Sequence, residues 1–285
     1  MAHEQGLKVI LDATVGTPFL IRPLQRENPD ERPDYVIHSY TKDISGCGGV
    51  IAGCVIGRNQ DMFVPKGESA GGVNWDQTMF WNVYYVKGAF LNADGAFEVM
   101  QGMKTMTMRM LRKCINTKIM ADFLNSHPEI RVNSNWIPSD PNHDLLADQL
   151  YLGMPAPLFT FDMGDIPRDA FQRFFDSLSP MFGHMISLGQ SNTIVSCPAL
   201  TTHSELNEQA LAEAGMTPTT IRCAVGDEDP LDLISHLINA AKGTIDIAEP
   251  GYADQFMSLD DIKSLIRRHY VDTHAAYVDN QVNKA

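Results

Sequence analysis

The hydrophobic positions fall into short β-rich runs in the first 60 residues and into longer helical periods after residue 95. Residues 7–11 (LKVIL) form an apolar run of the kind that reads as a buried strand. So abrupt a start suggests that the chain is the later part of something longer. Tyr35-Val36-Ile37 leads into Ser39-Tyr40-Thr41-Lys42, a glycine-rich turn follows (Gly46, Gly48, Gly49), and residues 50–56 make a second β-rich run. Runs of this length bounded by glycines predict strands rather than helices. The first run closes on Asp12, thirty residues before Lys42, which suits two neighbouring strands whose C-terminal ends share one crevice. A lysine at such a strand end, partly desolvated, loses its proton more readily and is able to condense with a carbonyl.

Further along, residues 59–86 are polar and acidic, with an aromatic cluster at Phe80, Trp81, Tyr84 and Tyr85. They predict a loop and a short helix lying against a partner subunit. Residues 95–124 show helical spacing through Phe97, Met100, Met103, Met106 and Met110, with the methionines read as core filler. Strands near 130–132, 157–163, 185–188 and 220–225 alternate with helices at 169–178, 205–214 and 230–241, the pattern of an α/β layer. After Lys242 a polar bridge is expected, then a surface helix over 258–283 with a frayed tail, its apolar face formed by Ile262, Leu265, Ile266 and Tyr270. The division expected is 1–110, 111–245 and a helical extension, 246–285.

The formal charge of −13, from 35 acids against 22 bases, with no basic stripe, argues against nucleic acid or an anionic membrane as partner. No apolar run approaches the ~18 residues of a membrane span, and mean hydropathy is −0.16. Residues 1–9 lack the features of a signal peptide, and five scattered cysteines suggest reduced thiols. The expectation is an acidic, cytoplasmic globular protein.

Taken one at a time, the polar candidates are ambiguous. Alone, Asp12 reads as a helix cap or turn former, Lys42 does not by itself mark a catalytic lysine, and Arg222, on an apolar strand, reads equally as half of a structural ion pair. Ser39 and Thr41 have the alternative of ordinary strand-end hydroxyls, and His38 and His203 that of satisfied structural histidines. Cys47 and Cys54 lack histidines at metal spacing, so no metal site is expected. The glycines between 46 and 53 do not match a dinucleotide fingerprint.

Order changes the weight of these residues. Residues 9–24 (VILDATVGTPFLIRPL), 34–46 (DYVIHSYTKDISG) and 220–234 (TIRCAVGDEDPLDLI), with weaker echoes at 102–110 and 187–203, together resemble the Cys/Met-metabolism (transsulfuration) family of pyridoxal-phosphate enzymes, fold type I. The resemblance implies an α/β, aspartate-aminotransferase-like fold: a truncated large domain followed by an α/β C-terminal small domain. It implies that Lys42 carries pyridoxal 5′-phosphate as a Schiff base and shuttles protons, and that Asp12 pairs with the pyridine nitrogen. It further implies that Thr14 lies near the ring, Ser39 and Thr41 reach the phosphate, Arg222 takes the substrate α-carboxylate, and Ser187 lies on the substrate-site strand. The implied substrate is a small amino acid of the cystathionine, methionine or O-acyl-homoserine type, with elimination or replacement at Cγ or Cβ. A homo-oligomer, dimer or tetramer, is implied as well. The chain departs from the family at Ala13, where asparagine is usual, and at Gly46-Cys47-Gly48-Gly49, where Gly-His-x-Asp is common. It also lacks counterparts of the family's N-terminal portion, so a second reading is a non-catalytic or split subunit needing a complementing N-terminal chain.

Overall fold

The computed structural model describes residues 1–283 and divides into two compact units, Met1–Met106 and a second from Thr107 onward. The first holds strand β1 (Ile10–Asp12), a single helical turn α1 (Thr17–Leu20), strands β2 (Tyr35–Ser39) and β3 (Gly53–Ile56), turn α2 (Asn59–Met62), a small hairpin β4–β5 (Ser69–Ala70, Val73–Asn74) and the beginning of helix α3 (Ala93–Asn125). β2 is the middle strand, parallel to β1 (Asp12 opposite Ile37) and antiparallel to β3 (Ser39 opposite Gly53).

The run at 7–11 is not buried as expected: Leu7 is 57% and Ile10 62% exposed, and the strand begins only at Ile10. β1 pairs on one side alone, so its outer backbone edge has no strand partner among the described residues. The second β-rich run also starts late, at Gly53, because Ala52 is taken up by the turn after β2. Its carbonyl accepts from the amides of Tyr40 (2.8 Å) and Thr41 (3.2 Å).

Helix α3 covers the predicted span but packs on a different stripe. Phe97, Met100 and Met103 are 57%, 55% and 48% exposed, and Met108 is 74% exposed, so these methionines are not core filler, whereas Met110 and Met120 are buried. In the first unit the packed side runs through Gly95, Val99, Gly102 and Met106, with Val99 and Met106 against Ile44, Val50, Tyr40 and Ala52. Glycine is required at 102 by close approach. A Cβ there would stand 2.0 Å from the carbonyl oxygen of Ser45, in the turn that carries Lys42.

The second unit is built on a five-stranded sheet in the order β6-β7-β10-β9-β8, where β6 is Arg131–Asn133, β7 Leu158–Asp162, β8 Gly183–His184, β9 Ile194–Ser196 and β10 Thr220–Ala224. All neighbours are antiparallel except β8 with β9. Its helices, after α3, are α4 (Leu145–Gln149), α5 (Arg168–Ser177), α6 (Glu208–Glu213), α7 (Pro230–Ala248) and α8 (Leu259–Val282). The core joins Phe159, Phe161, Ile221 and Cys223 from the sheet to Phe171 and Phe174 of α5 and Leu233 and Leu237 of α7.

Three expectations are corrected here. The strand sought at 185–188 lies two residues earlier, and β9, with all three residues buried, had not been foreseen. The bridge after Lys242 is helical to Ala248, since Thr244 and Ile245 continue the buried stripe of Leu237 and Ala241. The last helix persists to Val282 without fraying, its buried side formed by Ile262, Leu265, His269 and Thr273. Among the described residues no helix is long and apolar enough to cross a membrane.

His127, 1% exposed, is held in one tautomer: Nε2 donates to the carbonyl of Tyr252 (3.0 Å) and Nδ1 accepts from the amide of Glu129 (3.2 Å). Burial pulls its pKa below the usual value, against the smaller opposing effects of that carbonyl and of the Glu129 charge. A depressed histidine contributes stability that is complete above its unfolded pKa of about 6.5 and is lost as pH falls below it. Denaturant midpoints should therefore fall between pH 7.5 and 5, with a shallower slope in His127→Gln. Gly102→Ala should destabilise the protein by about 1–3 kcal/mol in urea unfolding, the usual cost of overpacking. A neutral result there would mean that α3 does not press on the Lys42 turn.

Candidate active site

The sequence places a carboxylate and a hydroxyl at the ends of two parallel neighbours, and β1 and β2 bring both to one groove. The groove encloses about 990 Å³ and is lined by Asp12, Thr14 and Ser39 at its polar end. Phe63, Phe80, Val83, Tyr84 and Leu91 line the apolar remainder. Asp12 is exposed, and its Oδ1 accepts the amide of Thr14 (2.9 Å), while Oδ2 has no partner among the described residues. The Thr14 hydroxyl accepts the amide of Ser39 (2.8 Å) and so ties the two strand ends together. The Ser39 hydroxyl has no partner among the described residues and remains free to donate.

Thr41 and Lys42 do not line this groove. Thr41 Oγ1 donates to the carbonyl of Ala52 (3.3 Å) and accepts its amide (3.0 Å), so this hydroxyl fastens the turn to the start of β3. Lys42 sits half-buried in a wide helical turn, Tyr40–Ile44, at φ −89° and ψ −133°, and its carbonyl accepts from Gly46 (2.9 Å). Tyr40 beside it has its phenol pushed up to about 12, first by burial and then by the Cys54 thiol.

His38 is 4% exposed, and its Nδ1 has no hydrogen-bond partner, so it is not the satisfied histidine that the sequence suggested. It alternates with its neighbours onto the buried side of β2, as Val36 does. Burial lowers its pKa, with the Ala13 carbonyl and the Asp12 charge acting in the opposite direction. His203, by contrast, is exposed and bonded through Nδ1 to the Thr202 hydroxyl (2.8 Å).

Two features carried no readable signal. Thr17, fully buried, sits at φ +51°, a backbone region that a β-branched residue rarely enters and that is held here by its amide on Ala13 (3.0 Å). Asp34 anchors the beginning of the strand pair by accepting the amide of Val9 (2.9 Å), which is the main reason its pKa is lowered to about 2.

In the second unit Arg222, on β10, donates from Nη2 to the carbonyl of Ser187 (3.3 Å). The two residues named for substrate binding are thus brought together, although Ser187 lies past β8 rather than on a strand. Among the described residues no three His, Cys, Asp or Glu side chains converge to hold a metal.

The residues at the groove suit a pyridoxal phosphate: a cavity larger than a pyridine ring, a carboxylate oxygen without a partner and a free hydroxyl, with Lys42 three residues on in sequence but outside the groove lining. The chain is 30% identical over 246 residues to an L-methionine gamma-lyase of Pseudomonas putida, covering 86% of this chain and 56% of that one. It is 31% identical over 244 residues to an O-succinylhomoserine sulfhydrylase of Mycobacterium tuberculosis, covering 84% and 55%. It therefore spans about half the length of the curated relatives it matches. A Campylobacter jejuni protein described as an O-acetylhomoserine (thiol)-lyase superposes with a TM-score of 0.71 at 28% identity, over 85% of this chain and 60% of that one, and its crystal structure carries a pyridoxyl-lysine-phosphate. With residues 1–242 matched by the family model, the chain belongs to the Cys/Met metabolism family of PLP-dependent enzymes.

Proposed function

We propose that the protein is a pyridoxal-phosphate-dependent lyase or transferase acting on a sulfur amino acid or an O-acylated homoserine. The observation that carries this is the pairing of β1 with β2, which sets a partner-free carboxylate oxygen and a free hydroxyl on one groove just ahead of Lys42. When bound, the cofactor supplies an electron sink for a carbanion at the substrate's Cα. Asp12 would hold the pyridine nitrogen protonated, since a carboxylate favours the charged form of the ring. Ser39 would donate to the phosphate, with Thr14 fixing the backbone from which it does so. Lys42 would hold the cofactor through its amine and afterwards accept the proton at Cα, passing it toward the leaving group. Arg222 is proposed for the α-carboxylate, its guanidinium steadied by the Ser187 carbonyl, because only a planar fork binds both oxygens at once.

Two further properties belong to this reading. Exposed apolar side chains such as Phe90, Phe97, Met100 and Met103 support a homo-oligomer. Five cysteines, all outside disulfides, support a reducing compartment such as the cytoplasm.

The purified chain mixed with pyridoxal phosphate should develop a visible absorption band that borohydride traps on Lys42, identified by peptide mass. Lys42→Ala should show no such band, and its turnover of L-methionine or O-acyl-homoserine should fall by at least about 10²–10⁴-fold, the share of proton transfer alone. A band restricted to mixtures with a complementing N-terminal polypeptide would favour the split-subunit reading. A band that survives in Lys42→Ala would remove the lysine from its role.

A further inference from the structure

The second unit has a separate cavity, about 370 Å³, on the seam between α3 and α8, with Trp136 as its third wall. α8 lies beyond residue 242, where the family match stops. The two helices meet rung by rung. Lys118 Nζ donates to the hydroxyl of Thr273 (3.2 Å), and one turn away His269 Nε2 donates to Asp122 Oδ2 (2.7 Å). Trp136 donates from Nε1 to Asp122 Oδ1 (2.9 Å) and lies with its ring under Lys118 Nζ (4.6 Å).

The charged groups around this cavity are unevenly satisfied. Asp122 has both oxygens occupied. Lys118 is only 8% exposed, yet its ammonium has a single neutral oxygen and a ring for partners, with no carboxylate within 4.0 Å among the described residues. Burying an ammonium on so little is costly, and desolvation accordingly lowers its pKa, opposed by the charges of Cys114, Asp122 and Asp272. Arg268 is 61% exposed and makes one long contact, 3.7 Å, to Asp122. Asp272, one turn beyond Arg268 and also exposed, makes no hydrogen bond or ion pair among the described residues. The unspent groups are therefore two cationic donors and one carboxylate on a single cavity.

We propose that this cavity binds a small zwitterion of the amino-acid class, its carboxylate on Lys118 and Arg268 and its ammonium on Asp272. A simple anion would leave Asp272 opposing it, and a simple cation would meet Lys118 and Arg268. A molecule with both charges answers every unspent group. The site shares no residue with the Asp12 groove, so it stands whether or not the cofactor reading does.

Isothermal titration calorimetry of the full chain with L-alanine tests this, with acetate and methylamine as half-ligands. L-Alanine should bind, and each half-ligand should bind at least about tenfold more weakly, the loss expected for one charge-assisted bond. The exposed substitutions Arg268→Gln and Asp272→Asn should each cost about tenfold in affinity with the circular dichroism unchanged. Lys118→Met, which replaces the buried ammonium by a chain of similar shape, should abolish binding. Absence of heat with alanine, acetate binding as well as alanine, or full affinity in both exposed variants would each overturn the proposal.

Discussion

The first unit depends on the parallel register of β1 against β2. Asp12 stands opposite Ile37, and the amide of Ala13 extends the ladder to the Ile37 carbonyl at 2.9 Å. Because successive side chains point to opposite faces, a slip of one residue would turn Asp12 away from the groove. Three paired positions supply little cooperativity, so the register is pinned from outside the ladder. Asp34 captures the Val9 amide at the entry, and Thr14 captures the Ser39 amide at the exit, 2.8 Å away. A strand too short to hold its own register is thereby fixed at both ends by side chains.

That pinning explains what was legible in the sequence. The strand ends at Asp12 and Ser39 could be read because such ends are marked by a change from β-branched residues to polar and glycine positions, and the parallel pair follows from the thirty-residue spacing of Asp12 and Lys42. Family order singled out Arg222 and Ser187, which local pattern alone leaves as half of an ion pair and as one residue of the strand expected at 185–188. The packing face of α3 could not be read, because two of its four contact positions are Gly95 and Gly102, and glycine has no hydropathy signal. The apolar periodicity through Phe97, Met100 and Met103 is genuine, but it marks a face left open in this unit. β9 was hidden for a different reason: three buried residues between polar stretches carry too few positions for any period to show. Thr17 and Asp34 act through the backbone, by a strained φ and a captured amide, and neither leaves a compositional mark.

The pairing of Arg222 with Ser187 rests in turn on a buried polar network. Lys113, wholly buried, donates to the carbonyl of Gln190 (2.8 Å), and Asn116 bridges the carbonyls of Gly226 (3.1 Å) and Glu228 (2.9 Å). Glu228 accepts from both the amide and the hydroxyl of Thr193, and the Gly226 amide donates back to that hydroxyl at 2.9 Å. Gly226 admits no side chain, since a Cβ would fall 2.4 Å from the carbonyl oxygen of Ser191 and the amide nitrogen of Thr193. The network clamps residues 190–193 to residues 226–228, which flank Ser187 and Arg222 respectively. Such groups are expensive to bury singly and stabilising only when all are satisfied. The Arg222 guanidinium keeps its bond to the Ser187 carbonyl only if that segment is held still. The chain achieves this with a buried lysine and a half-buried glutamate rather than with longer strands, because β8 and β9, two and three residues long, are too short to do it by ladder bonds alone.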